Sequence, residues 1–166
     1  EHGIDLPKTM HPQVGLRISA LADEQGRELT AREIKDAFDH LFVNLSTPLK
    51  LIDYELDHSA GGRGEVECTA KITYKGEEKA IQGIGNGPIN AFVEALDAAG
   101  LKNFSLTDYR SHAIRGGSDS DSAAYIQLQC NQAKQLIWGA GIDPSIEMAG
   151  LRALVSAFNS LQQAKA

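Results

Sequence analysis

Two glycine-rich stretches decide the fold: Gly83-Ile84-Gly85-Asn86-Gly87-Pro88 and Gly139-Ala140-Gly141-Ile142-Asp143-Pro144. Gly83, Gly85 and Pro88 recur as Gly139, Gly141 and Pro144 at a constant offset of 56 residues. Each stretch follows an alternating run and precedes a helical one. Val66, Cys68, Ala70, Ile72 and Tyr74 alternate with Glu67, Thr69, Lys71 and Thr73, the period-two pattern of a half-buried strand. At the same offset they meet Ser122, Ala124, Ile126, Leu128 and Cys130, and Ile81 meets Ile137. Gly61 likewise meets Gly117. Strand parity and glycine loop therefore register together, which marks a duplicated unit.

Working outward, Lys75-Gly76 reads as a turn, and Lys79 to Ile84 as the next strand. Pro88 opens a helix carrying Ile89, Phe92, Val93 and Leu96, and Gly100 closes it. The second helix carries Ile146, Ala149, Gly150, Ala153, Leu154 and Ala157, with Asp143 as its expected N-cap. The expected class is α+β: two βββα units, about 48–103 and 104–160, related by a pseudo-twofold axis and packed face to face. The outer sheet faces are expected to be polar. Residues 1–47 read as a separate helical linker subdomain. Pro12, Val14, Ile18 and Leu21 mark one helix ended by Gly26. Thr30 and Glu33 form a capping-box pattern ahead of the stripe Ile34, Ala37, Phe38 and Leu41. Pro48 stops that helix from continuing. Two such stripes need a surface to cover them, either the rest of the chain or a partner.

Composition narrows the function. With 22 acidic and 16 basic residues, the net charge is −6, and the basic residues are scattered, so a nucleic-acid partner is not expected. No apolar run approaches the roughly 20 residues that cross a bilayer, so no membrane partner is expected. Cys68 and Cys130 lie in strand-like runs outside any CxxC pair and read as small buried thiols. A reducing, cytoplasmic setting follows. The chain begins at Glu1 without a methionine and reads as a piece of something longer.

No catalytic constellation emerges. The first glycine loop has Pro88 where a dinucleotide fingerprint needs glycine, and no parallel βαβ unit surrounds it. Ser111 and His112 are neighbours on a strand and point to opposite faces, which rules out an ordinary serine–base pair. Asp119 and Asp121 flank Ser120 without the ligand count of a calcium loop. His2, His11, His40 and His58 form neither HxH nor HExxH, and Trp138 reads as a core anchor. The glycine loops suit a different task. A helix start beyond each loop offers free N–H groups and partial positive charge, a setting for a small carboxylate. Tyr109 with Ser111 and Ala113 on one face is suited to line a pocket.

These motifs resemble the C-terminal regulatory domain of 2-isopropylmalate synthase. The resemblance rests on Gly83 through Ile89, on Asp108-Tyr109 followed by His112-Ala113, and on Trp138-Gly139-Ala140-Gly141-Ile142. Leu151-Arg152-Ala153 with Ser156-Ala157-Phe158-Asn159 completes it. It implies an allosteric domain that forms a homodimer and binds leucine near the dimer interface as a feedback inhibitor. The implied leucine-binding positions are Gly85, Asn86, Gly87, Ile89, Asn90, Leu106, Tyr109, Ala113, Ser122, Ile142 and Ile146. Asn90 and Ser122 stand where that family commonly has small apolar residues, and the Leu101 to Leu106 loop is one residue longer. The catalytic barrel of the parent chain, with its divalent metal, condenses acetyl-CoA with 2-oxoisovalerate and lies outside the resemblance. This stretch alone is expected to catalyse nothing and to need no cofactor. Three other readings predict different behaviour: a citramalate synthase regulatory domain sensing isoleucine, a ligand-free dimerisation scaffold, and a small standalone enzyme.

Overall fold

The computed structural model describes residues 5–58, 64–114 and 121–165, with side chains described to residue 162. A short 3₁₀ turn, Lys8–Met10, leads into α1 (His11–Gln25) and α2 (Ala31–Phe42). Then come β1 (Leu49–Asp57), β2 (Val66–Tyr74), β3 (Glu77–Gly85) and α3 (Pro88–Ala98). The second unit follows as β4 (Phe104–Ala113), β5 (Ser122–Cys130), β6 (Leu136–Asp143) and α4 (Ile146–Lys165). Each unit forms one antiparallel three-stranded sheet, in the orders β1-β2-β3 and β4-β5-β6. The α+β class and the two βββα units are as the sequence implied. The Gly61/Gly117 match and the Asp119–Ser120 loop lie outside the described residues.

The recurring glycines have a packing cause. A Cβ added at Gly83 would stand 2.2 Å from the Ala95 backbone N and 2.7 Å from Ala91 O. One at Gly139 would stand 2.2 Å from Ala157 N, and one at Gly141 would stand 2.1 Å from Ala149 O. Each helix thus lies directly on its sheet, alanine stripe against glycine, so any side chain at these positions would push the layers apart. The helix-facing residues of both sheets and the inner faces of α3 and α4 merge into one core. Phe158 of α4 ties the units together, meeting Tyr74 of the first and Phe104 of the second edge-on at 6.1 Å each.

The duplication is inexact in three places. First, β1 and β4 each carry a bulge, at Ile52 and at Thr107, so these strands align at an offset of 55. Secondly, Cys68 faces Gly83, but Ala124 faces Gly141 and not Gly139. The second hairpin is therefore slipped by two residues, which preserves the faces while moving the rungs. The cause is the turn. Lys75 and Gly76 both adopt positive φ (51° and 83°) in a tight two-residue connection, whereas residues 131–135 form a longer one with Lys134 at φ 57°. Thirdly, the expectation of polar outer faces holds for the first sheet and fails for the second. Ala123, Tyr125, Trp138 and Ala140 on the outer face of β5–β6 are buried with Met10, Phe38 and Phe42. The N-terminal helical layer covers that sheet, so Trp138 is an anchor of this outer cluster and not of the inter-unit core.

Within that layer α2 does the covering and α1 stays at the edge, with no buried residue. The Thr30–Glu33 capping box is formed. Glu33 also takes hydrogen bonds from Arg27, and these bonds, followed by those from the Thr30 backbone and hydroxyl, hold its carboxyl at about 2 against an ordinary 4.5. A carboxylate lowered in this way contributes stability that is complete above its unfolded value and lost as pH falls through the folded one. A side-chain NMR titration of Glu33 is expected to show a midpoint near 2. A midpoint of about 4 or above, the free-residue range, would mean the box is not populated.

Candidate functional site

The start of α3 is an open helix terminus. Its N-cap, Gly87, has no side chain, and Pro88 at the first helical position has no N–H. The N–H groups of Ile89 and Asn90 therefore lack a protein partner among the described residues, and the first capped-off donor is Ala91, which bonds Gly87 O at 2.9 Å. The equivalent start of α4 carries a side-chain cap. Ser145 Oγ accepts from Met148 N at 3.2 Å, and Ser145 N donates to Asp143 Oδ2 at 2.9 Å. The N-cap is thus Ser145 and not Asp143, whose carboxylate instead braces the turn and stands 3.5 Å from Arg152 Nε. The two glycine loops are alike in packing and differ at the third helical N–H: Met148 N is capped by Ser145, whereas Asn90 N has no partner among the described residues. The first start, with no side chain over it, is open to a small anion.

Beside the α3 start lies a cleft of about 430 Å³ running between the β3–α3 corner and β4. It brings together four of the residues implied by sequence: Gly85, Asn86, Asn90 and Leu106. Glu65, Glu94, Lys102 and Ser105 add charged and polar groups to its wall. Gly85 contributes backbone only. The space over its Cα is filled by α3 itself, with Asn90 Cβ 2.9 Å from an added Cβ, so it is the helix and not a ligand that requires glycine there.

A second group gathers next to the cleft at the α3 start, Tyr109 standing one rung from Leu106 on the same face of its sheet. Ile89 and Tyr109 converge on Gly150 of α4, where an added Cβ would lie 3.0 Å from Ile89 Cδ1 and 3.1 Å from the Tyr109 hydroxyl. Tyr109 pairs with Ile126 and Ala113 with Ser122, so Tyr109, Ala113 and Ser122 share the helix-facing side of their sheet. Ser122 is buried, whereas Tyr109 and Ile146 remain 41% and 50% exposed. This end of the sheet's helix-facing side is thus left partly open. Ile142 does not join either group. It packs with the Trp138 cluster on the opposite face, and Asn44 clamps its backbone, donating to Ile142 O and accepting from Ile142 N.

Tyr54 was not singled out in the sequence, yet it occupies the position equivalent to Tyr109. Its hydroxyl donates to Glu147 Oε1 at 2.8 Å, and burial, followed by that carboxylate, pushes it up to about 12. The clue was present: Leu51-Ile52-Asp53-Tyr54 and Leu106-Thr107-Asp108-Tyr109 share L-x-D-Y, but at 55 residues and not 56. The other titratable candidates resolve plainly. Burial pushes the Cys68 thiol up to about 11, as befits a packed thiol. His112 stacks on Tyr125 and bonds its hydroxyl at 2.9 Å, on the face opposite Ser111. No cluster of three or more metal-ligating side chains occurs among the described residues. No helix among them is long and apolar enough to cross a membrane.

Fold and site together define the class: a duplicated α+β module of two βββα units, with a helical layer on one sheet and an uncapped helix start beside a cleft. A family model described as the LeuA allosteric (dimerisation) domain matches residues 28–162, and the chain belongs to that family. Among similar proteins, the 2-isopropylmalate synthase of Mycobacterium leprae (strain TN) is 35% identical over 159 residues, covering 96% of this chain and 26% of the relative. That of Mycobacterium ulcerans (strain Agy99) is 36% identical over 164 residues, covering 96% and 28%. That of Agrobacterium fabrum is 32% identical over 167 residues, covering 100% and 30%. The chain thus corresponds to under a third of the length of these relatives.

Proposed function

We propose that this domain binds L-leucine at the α3 start, pairs with a second copy of itself, and conveys feedback inhibition to a 2-isopropylmalate synthase of which it is the regulatory part. The observation that carries this reading is the uncapped terminus of α3 opening beside the cleft, in a family described as allosteric. A free amino acid needs donors for its carboxylate, acceptors for its ammonium and an apolar wall. The N–H groups of Ile89 and Asn90 with Lys102 suit the first, Glu65 and Glu94 the second, and Leu106, Ile89 and Tyr109 the third. Tyr109 and Ile146, half uncovered in one copy, are suited to be closed over by the second.

Calorimetric and thermal titration with leucine, isoleucine and valine tests this. Leucine at 100 times its Kd is expected to add about 2.7 kcal/mol, which raises Tm by about 5–10 °C in a domain of this size. Valine, one methylene smaller, is expected to bind about 10-fold or more weakly. A larger shift with isoleucine than with leucine would transfer the assignment to an isoleucine sensor. No shift with any of the three at millimolar concentration would leave a dimerisation scaffold.

A further inference from the structure

The apolar face of α4 is interrupted by two polar residues, Ser156 and Asn159, each with 0% exposure. A buried hydroxyl or amide is costly unless its bonds are made. Here they are made, and all to one short segment. Ser156 Oγ donates to Phe42 O at 2.6 Å and accepts from Leu45 N at 3.1 Å. The Asn159 amide donates to Leu45 O at 2.9 Å and to Leu49 O at 2.8 Å, while its Oδ1 accepts from Leu49 N at 2.8 Å. Residues 42–49 are the strap between the N-terminal helices and the first sheet, and these two side chains lash it to α4.

The opposite end of α4 meets the candidate effector site. Gly150 has no side chain, so its backbone lies directly against Ile89 and Tyr109, and Glu147 takes the Tyr54 hydrogen bond. Six to nine helical residues separate Gly150 from Ser156 and Asn159, a rigid span of about 9–14 Å. α4 also touches α2, α3 and β1 beyond its own sheet. A shift of Ile89 or Tyr109 therefore presses on the α4 backbone with no compliant side chain between, and α4 can move only by carrying the strap or breaking its bonds.

We infer that Ser156 and Asn159 are positioning residues that couple the α3–α4 effector end to the strap, and through it to the α1–α2 layer. This rests on the leucine reading above, and the experiment separates the two. Amide exchange of Leu45 and Leu49, whose N–H groups bond Ser156 and Asn159, is followed by NMR on this chain with and without saturating L-leucine. Leucine is expected to change their exchange by about fivefold or more, the lower end of ordinary coupling between sites. Coupling is reciprocal, so Ser156→Ala is expected to shift the leucine Kd by about the same factor, although Ser156 does not touch the ligand. Thr69→Ala, on the outer face of the first sheet, is expected to leave that Kd unchanged. Leucine binding to the unmodified chain with no change at Leu45 and Leu49 overturns the coupling alone, whether or not the variant folds. An unaltered Kd in a folded Ser156→Ala overturns it as well. Absence of leucine binding overturns the effector reading and the coupling together.

Discussion

Gly139→Ala is expected to destabilise the chain by about 3 kcal/mol or more, at the upper end of what overpacking a close-packed layer costs. The added methyl would stand 2.2 Å from Ala157 N, 2.6 Å from Ala157 Cα and 2.8 Å from Ala153 O. All three are helix backbone atoms, so no side-chain rotation relieves the clash. Only a displacement of α4 from its sheet can, and that loosens the Phe158 contacts that join the units. For a chain of 166 residues the loss corresponds to a Tm lower by about 6–12 °C. Gly15→Ala is the matched control. It lies inside α1 with nothing within 4 Å of the added Cβ, and the higher helix propensity of alanine is expected to raise stability by about 0.5–1 kcal/mol. Urea unfolding of both variants reads the difference directly. If Gly139→Ala unfolds at the wild-type midpoint, the glycines are not there for helix contact, and the packing account of the duplication fails.

The same contact explains which parts of the molecule were legible in the sequence. A glycine pressed against an alanine stripe is a local signal, repeated because the layer it serves is repeated. The alternation from Val66 to Tyr74 and the Thr30–Glu33 box are local too, and both stand in the structure as read. What depends on a distant partner was not legible. Ala123 and Tyr125 look like ordinary strand residues, and nothing near them says that Phe38 and Phe42 will cover their face. The 55-residue kinship of Tyr54 with Tyr109 was hidden by the bulges at Ile52 and Thr107, which shift the count by one. Asp143 is the cap the sequence suggests for α4, but the helix begins at Ile146, and it is Ser145, directly before it, that accepts from Met148 N. The candidate site was legible in part. Gly85, Asn86, Asn90 and Leu106 share the cleft, and Ile89 lies with Tyr109. Ile142 could have been set apart by parity alone, since Gly139 and Gly141 face the helix and residue 142 faces the other way. Ser156 and Asn159 carried a clue of a different kind: polar residues in the middle of an apolar helical stripe, which burial tolerates only with bonds made elsewhere.

Asn159→Ala is accordingly expected to cost about 3–5 kcal/mol, although the deleted group is small. One side chain satisfies three backbone groups, Leu45 O, Leu49 O and Leu49 N. Leaving each without a partner costs about 1–3 kcal/mol when buried, less where water enters, and the terms are not additive. Leucine at position 159 would fill the volume and still abandon all three groups, so it is expected to be no better than alanine. That comparison separates hydrogen bonding from packing. Asn159→Asp sharpens it. The carboxylate keeps an acceptor for Leu49 N but replaces the donating amide with a second acceptor aimed at two carbonyl oxygens. Its ionised form is disfavoured in the folded chain, which raises its folded pKa above the unfolded one. Stability conferred in this way is present below the unfolded pKa and lost as pH rises through the folded value. The deficit of Asn159→Asp relative to the wild type is therefore expected to shrink as pH falls, whereas that of Asn159→Ala is expected to stay constant. Denaturant unfolding of the three variants across acidic and neutral pH checks both statements. A loss below about 1 kcal/mol for alanine, under the cost of one abandoned buried group, would mean that the strap is held by Ser156 and the surrounding apolar contacts instead.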